Sequence, residues 1–197
     1  MSRFIESICL ENGILRNLDY HQKRLNQTRY KTLGLTDLLD LSHCISIPEQ
    51  QKEGKYKCRI LYAEKIESIE ILPYSIRPVH SIRLIENNEI QYKYKRENRK
   101  IFDLLKDAVA EDEIILTQNG KVTDSSYSNL VFFNGKNWFT PTSYLLNGCM
   151  RQFLLDTKQI ATAEINSENL HQFQSFKLIN AMLNLEESPE LPVSIIL

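Results

Sequence analysis

The chain has 197 residues, 42% hydrophobic and 25% charged, with 24 basic and 25 acidic side chains and a formal net charge of −1. That length holds one large domain or two small ones, and charge this evenly mixed, with no polybasic run or tail, argues against nucleic acid or an anionic membrane surface as a partner. No apolar run approaches the ~20 residues of a membrane span, and the acidic start MSRFIESICLENG is unlike a signal peptide, so a cytoplasmic location is expected. The four cysteines, Cys9, Cys44, Cys58 and Cys149, show neither CxxC spacing nor a paired His. Reduced thiols are expected rather than disulfides or a zinc site.

Residues 4–10 alternate loosely and predict a strand, closed by a turn at Glu11, Asn12 and Gly13. Asp19 is placed to cap a helix reaching about Thr32, on which His21, Arg24, Leu25 and Thr28 share one face. Such a basic helix is ordinarily solvated surface, but an Arg flanked by His21 and Leu25 on a partly apolar face could reach an anion. Residues 35–41 read as a short second helix, and 56–63 and 66–73 as two strands around a charged turn, the second ended by Pro73. Residues 76–86 are extended. The crossing to a second unit is expected around 77–88, giving an N-terminal α/β domain over 1–85 and a larger β-rich domain over 86–197.

A helix is expected over 97–110 from the spacing of Ile101, Leu104, Leu105 and Ala108. Lys93, Lys95, Arg96, Arg99 and Lys100 crowd its start, where positive charge opposes the helix dipole. They read either as a solvated basic face or as cations whose mutual repulsion helps one amine shed its proton, as a nucleophile requires. Asn119-Gly120 and Asn134-Gly135 each mark a two-residue hairpin. Between them DSSYSN, residues 124–129, sets small polar side chains in a row, which suggests a functional turn. Gly148 precedes a helix carrying Met150, Phe153 and Leu154. It either presents bare amides suited to a phosphate or simply lets the chain turn. A helical patch at 168–173 and extended pieces at 176–179 and 192–197 complete the chain.

A lysine, a carboxylate, an arginine and helix-start amides suit one chemistry. The lysine condenses with an aldehyde cofactor, the carboxylate keeps a pyridine nitrogen protonated, and the amides and arginine hold a phosphate. On these residues the chain resembles the class IV aminotransferases, the fold-type IV pyridoxal-phosphate enzymes. The family's HxxRL reads His21-Gln22-Lys23-Arg24-Leu25, which implies that Arg24 binds the cofactor phosphate. Its lysine motif, with Arg four residues on, reads Lys95-Arg96-Glu97-Asn98-Arg99 and selects Lys95 over Lys93 as the catalytic lysine. Its acid in a Ser-rich turn reads Asp124 with Ser128 and Asn129. Its phosphate loop reads Thr140-Pro141 and Leu146-Asn147-Gly148-Cys149-Met150-Arg151, with Gly148, Cys149 and Met150 at the phosphate.

The resemblance implies a two-domain α/β fold of the α+β type, pyridoxal 5'-phosphate as cofactor, a small amino-acid-like substrate and a homodimer. The chain departs from the family pattern in four places. Asp stands where Glu is usual, Met150 where the aminotransferases carry Thr, the usual N-terminal strand and glycine-rich turn are absent, and INAMLNLEE replaces the small-residue substrate loop. GCMRQ is closer to the GIMRQ of 4-amino-4-deoxychorismate lyases, so elimination to pyruvate and 4-aminobenzoate, a step of folate synthesis, is the expected reaction. An amino-acid aminotransferase of branched-chain or D-amino acid type, or a non-catalytic binding relative, are the alternatives. Arg59 is a weak candidate for the substrate carboxylate, beside Arg77 and Arg99, because a charge in mid-strand needs a partner.

Overall fold

The computed structural model describes residues 2–197 and groups them into two compact units. The first is Met1–Ile76 with Tyr94–Asn98, the second Arg77–Lys93 with Arg99–Leu197. This differs from a division at residue 85.

In the first unit β1 (Phe4–Glu11) turns through Asn12 and Gly13 into β2 (Ile14–Leu15), followed by α1 (Leu18–Leu33), α2 (Leu41–Cys44), β3 (Lys55–Tyr62) and β4 (Ile66–Pro73). The strands form one antiparallel sheet in the order β2-β1-β3-β4. Phe4, Ile8, Leu25, Leu41, Cys58, Ile60 and Tyr62 make its core, each large aliphatic side chain contributing about 1.5–3 kcal/mol by leaving water. The predicted shared face of α1 is present: His21, Leu25 and Thr28 are buried. Its cap is not Asp19. Asn17 occupies the capping position in a left-handed conformation without a side-chain bond, and Asp19 sits in the first turn, where its charge suits the dipole.

Residues 35–40 are not the predicted helix, because α1 side chains occupy their backbone groups. Asn26 exchanges two bonds with Leu39, Gln22 accepts the Leu41 N–H at 2.6 Å, and buried Arg29 donates to the Asp37 carbonyl at 2.6 Å. Helix begins only at Leu41, where Asp40 caps it through the Ser42 N–H.

The segment Tyr94–Asn98 edges β1. Ile5 N–H donates to the Lys95 carbonyl at 2.9 Å, Glu97 N–H donates to the Arg3 carbonyl at 3.0 Å, and Phe4 bridges Arg96. These bonds place Lys95 in the first unit rather than in the C-terminal domain, and they delay the following helix.

In the second unit β5 (Ile82–Glu86) precedes that helix, α3 (Lys100–Asp107). Its buried residue is Phe102, whereas Ile101 and Leu104 are 42% and 67% exposed, so the inward face is not the one expected. β6 (Glu113–Gln118) and β7 (Lys121–Ser125) form the predicted hairpin, with Asn119 and Gly120 both at positive φ, and β5 joins β6 in parallel.

β8 (Asn129–Phe133) and β9 (Trp138–Pro141) are linked by four residues rather than two, since Asn134 Oδ1 accepts the N–H groups of Lys136 and Asn137. Then come α4 (Cys149–Asp156), β10 (Ala161–Ala163), β11 (Ser175–Ile179) and β12 (Leu191–Pro192). The five-stranded sheet runs β10-β9-β8-β11-β12. The patch at 168–173 is a 3-10 turn at Leu170–Gln172, and the extended tail is interrupted by another at Val193–Ile195. All four cysteines are free thiols. No helix among the described residues is long and apolar enough to cross a membrane.

Candidate functional site

The second unit gathers Asp124, Ser128, Asn129, Gly148, Cys149 and Met150 around the join of β7, β8 and α4. Asp124 ends the hairpin and is buried. Its Oδ1 accepts Asn129 Nδ2 at 2.8 Å, and its Oδ2 accepts the Leu146 and Leu145 N–H groups at 2.8 and 3.2 Å. The serines of the turn have distinct tasks. Ser125 Oγ accepts the N–H groups of Ser128 and Tyr127, Ser125 N–H donates to the Ser128 carbonyl, and Ser128 Oγ accepts Asn180 Nδ2. Asp124 and Asn129 are thereby held at the two ends of one turn.

Burial is the largest influence on Asp124 and pushes its carboxyl up to about 7, against the lowering effect of the Leu146, Asn129 and Leu145 donors and of the Arg151 charge. A carboxylate has about four acceptor positions, and three donors reach this one, so it can receive one more. A cation at that position would favour the ionised form.

Gly148 is explained by Asn129. A Cβ on Gly148 would lie 2.1 Å from Asn129 Oδ1, closer than any real contact, while its φ of −66 is open to every residue. The missing side chain therefore lets α4 begin against the amide that holds Asp124. α4 has no side-chain cap, and Gln152 N–H, donating to the Gly148 carbonyl, is its first intrahelical bond. The amides of Cys149, Met150 and Arg151 are thus first-turn donors at the positive end of the dipole, suited to an anion. The Met150 side chain packs with Val131, Leu154, Ile160 and Ile179, so this residue offers its amide and no hydroxyl. Arg151, quoted above only as a motif residue, anchors the loop: it donates to Thr140 Oγ1, Asn147 Oδ1 and the Pro141 carbonyl and stacks on Tyr144 at 4.5 Å.

The first unit carries Arg24, Lys95 and Arg59. Arg24 Nε and a terminal nitrogen donate to Glu6 at 2.8 and 2.5 Å, and His21 Nδ1 lies 2.6 Å from the same carboxylate. Glu6 was not singled out from sequence, although an acid on a strand that faces an HxxRL helix was visible in FIES. Burial alone would raise its pKa, but the charge of Arg24 and the bonds from His21 and Arg24 overcome it and lower it to about 2. This two-toothed grip fixes the direction of the Arg24 guanidinium. The Lys95 side chain is half-buried and that of Lys93 exposed. Arg59 lies on β3 and donates to Glu70 on the adjacent strand at 3.1 Å, the partner that its mid-strand charge required.

A buried acid able to receive one more donor and an uncapped helix start match a cationic ring and a phosphate, so the residues present fit pyridoxal phosphate. Residues 3–186 match the family described as amino-transferase class IV. An uncharacterized protein of Haemophilus influenzae is 32% identical over 188 residues, 94% of this chain and all of the relative. A crystal structure from Haemophilus somnus, provisionally called a 4-amino-4-deoxychorismate lyase, shares 33% identity with a TM-score of 0.86, over 94% of this chain and 98% of that one. A hypothetical aminotransferase from Mycobacterium tuberculosis in its PLP-bound form shares the fold, with a TM-score of 0.77 at 14% identity over 96% of this chain and 80% of that one.

Proposed function

The chain belongs to the class IV aminotransferase family, and we propose that it is a pyridoxal-phosphate enzyme of the 4-amino-4-deoxychorismate lyase type. When bound, the cofactor supplies an electron sink for charge at the substrate α-carbon. The residues of the chain do the rest. Arg24, with its guanidinium bound to Glu6, and the amides of Cys149 and Met150 are the residues that would hold the phosphate. Asp124 keeps the ring nitrogen protonated, and Asn129, made possible by Gly148, keeps Asp124 in place. Lys95 would be the amine that holds the cofactor aldehyde and the group that moves the substrate α-proton. Pyruvate and 4-aminobenzoate are the expected products.

The observation that carries this reading is the buried Asp124, held by neutral donors and able to receive one more. The 33% identity to the Haemophilus somnus protein and the core-packed Met150 favour the lyase. An amino-acid aminotransferase is the second reading, since the same residues would serve it. A homodimer and a cytoplasmic location belong to the same proposal, and the mass in solution tests the first.

Absorbance spectra of the protein with pyridoxal phosphate, beside Lys95→Ala, test the cofactor reading. A visible band is expected in the parent and lost in the variant. No band in either protein would leave a family-shaped binding protein. An amino acid added to the loaded protein separates the two enzymes, because only a transaminase converts the cofactor stoichiometrically to its amine form.

A further inference from the structure

Ser126, in the middle of the turn between Asp124 and Asn129, is gripped from both sides by charged side chains. Its N–H donates to Glu113 Oε1 at 3.2 Å, and its carbonyl accepts a terminal nitrogen of Arg99. Neither charged residue is casually placed. Glu113 is fully buried at the start of β6, its Oε1 also accepts the Ile114 N–H at 2.9 Å, and its Oε2 is buried with no hydrogen-bond partner. A carboxylate kept in such a place at the cost of an unmet oxygen calls for a function. Arg99 immediately precedes α3, donates its other terminal nitrogen to the Tyr92 hydroxyl at 3.0 Å, and stacks over Phe102 and Tyr92 at 4.8 and 5.4 Å. Both of its terminal nitrogens serve protein groups, which ties its fork to the turn.

We infer that Arg99 and Glu113 are positioning residues for Asp124: they clamp the Ser126 backbone and hold the turn so that the acid faces the ring nitrogen of the cofactor. The inner bonds of the turn, from Ser125 to Tyr127 and Ser128, set its shape, and the clamp sets where that shape sits in the unit. Hydrogen bonds to an ionised group such as the Arg99 guanidinium are about twice as strong as neutral ones, so bonds on both sides of Ser126, one of them from that guanidinium, make a stiff mount for the turn. The link to the ring nitrogen rests on the cofactor reading above, whereas the clamp does not.

The test uses Arg99→Met and Glu113→Gln, with Ser188→Ala as a control that removes a buried hydroxyl bond to the Leu178 carbonyl in the same unit without touching the turn. Hydrogen exchange of the cofactor-free proteins should show amides 125–129 exchanging about tenfold faster in the two clamp variants and unchanged in the control. Titration with pyridoxal phosphate should show a weakened affinity, and the pH midpoint of the bound cofactor's visible spectrum should move in the clamp variants alone. Unchanged exchange in the turn, or a rise spread evenly over the unit, would overturn the clamp. Faster exchange with cofactor affinity and pH midpoint unchanged would overturn its role toward Asp124. A parent protein that takes up no cofactor would overturn the functional reading, and the exchange result would then decide the clamp on its own.

Discussion

Two buried carboxylates, Glu6 in the first unit and Asp124 in the second, lie in equally dry surroundings and behave in opposite ways. Burial pushes both up, yet Glu6 ends near 2 and Asp124 near 7. The difference is the character of the donors. Glu6 meets the full charge of Arg24 and the His21 ring, whereas Asp124 meets an amide and two backbone N–H groups, with Arg151 contributing only at longer range. Neutral donors satisfy hydrogen bonding without balancing charge. Glu6 is complete within the chain, and Asp124 is arranged as though a cation is still to come.

The largest effect should come from breaking the complete site. Glu6→Leu leaves Arg24 and His21 buried without their carboxylate, and urea unfolding should show a loss of about 3–5 kcal/mol. A loss below about 1 kcal/mol would mean that the pair behaves as a surface ion pair.

The pH dependence of stability separates the two groups by sign. Glu6 lies below its ordinary 4.5, so its contribution is present above that pH and disappears as pH falls toward 2, about 3 kcal/mol in all. Asp124 lies above its ordinary 3.8, so the native state holds its proton more tightly. That contribution is complete below 3.8 and is lost as pH rises through 7, about 4 kcal/mol in all. Urea midpoints of the cofactor-free protein should therefore rise from pH 2 and decline again toward pH 7. Glu6→Gln should flatten the first limb, and Asp124→Asn or saturating pyridoxal phosphate the second.

Gly148→Ala sharpens the comparison at smaller cost. The new Cβ displaces Asn129, removing one neutral donor from Asp124, for an expected 1–3 kcal/mol, roughly the cost of orphaning a buried group, and a marked loss of cofactor affinity. Gly120→Ala is the control. It has nothing within 4 Å of the added carbon but a φ of 74, so it should cost about 1 kcal/mol and leave cofactor binding unchanged.

What the sequence made legible was local. The Asn119-Gly120 hairpin follows from two residues that accept positive φ, and the buried face of α1 from three- and four-residue spacing. Distant partners were not legible. Glu6 acquires its meaning 15 and 18 residues away, at His21 and Arg24, and Lys95 joins the first unit through Ile5. Nothing at Gly148 advertises that Asn129 requires the space, and α3 turns Phe102 inward where Ile101 and Leu104 kept a better helical period. The motif resemblance named Asp124 and Asn129 as a pair. Their geometry adds the reason: the amide is the neutral donor that leaves the acid short of charge.

Carbon-13 NMR of the side-chain carboxyls, recorded against pH with and without pyridoxal phosphate, tests that claim most directly. The account predicts that Asp124 titrates near 7 in the cofactor-free protein and falls well below it when the cofactor is bound, while Glu6 stays ionised down to about 2 in both. An Asp124 that titrates near its ordinary 3.8 without cofactor, or that does not move when cofactor is added, would contradict it.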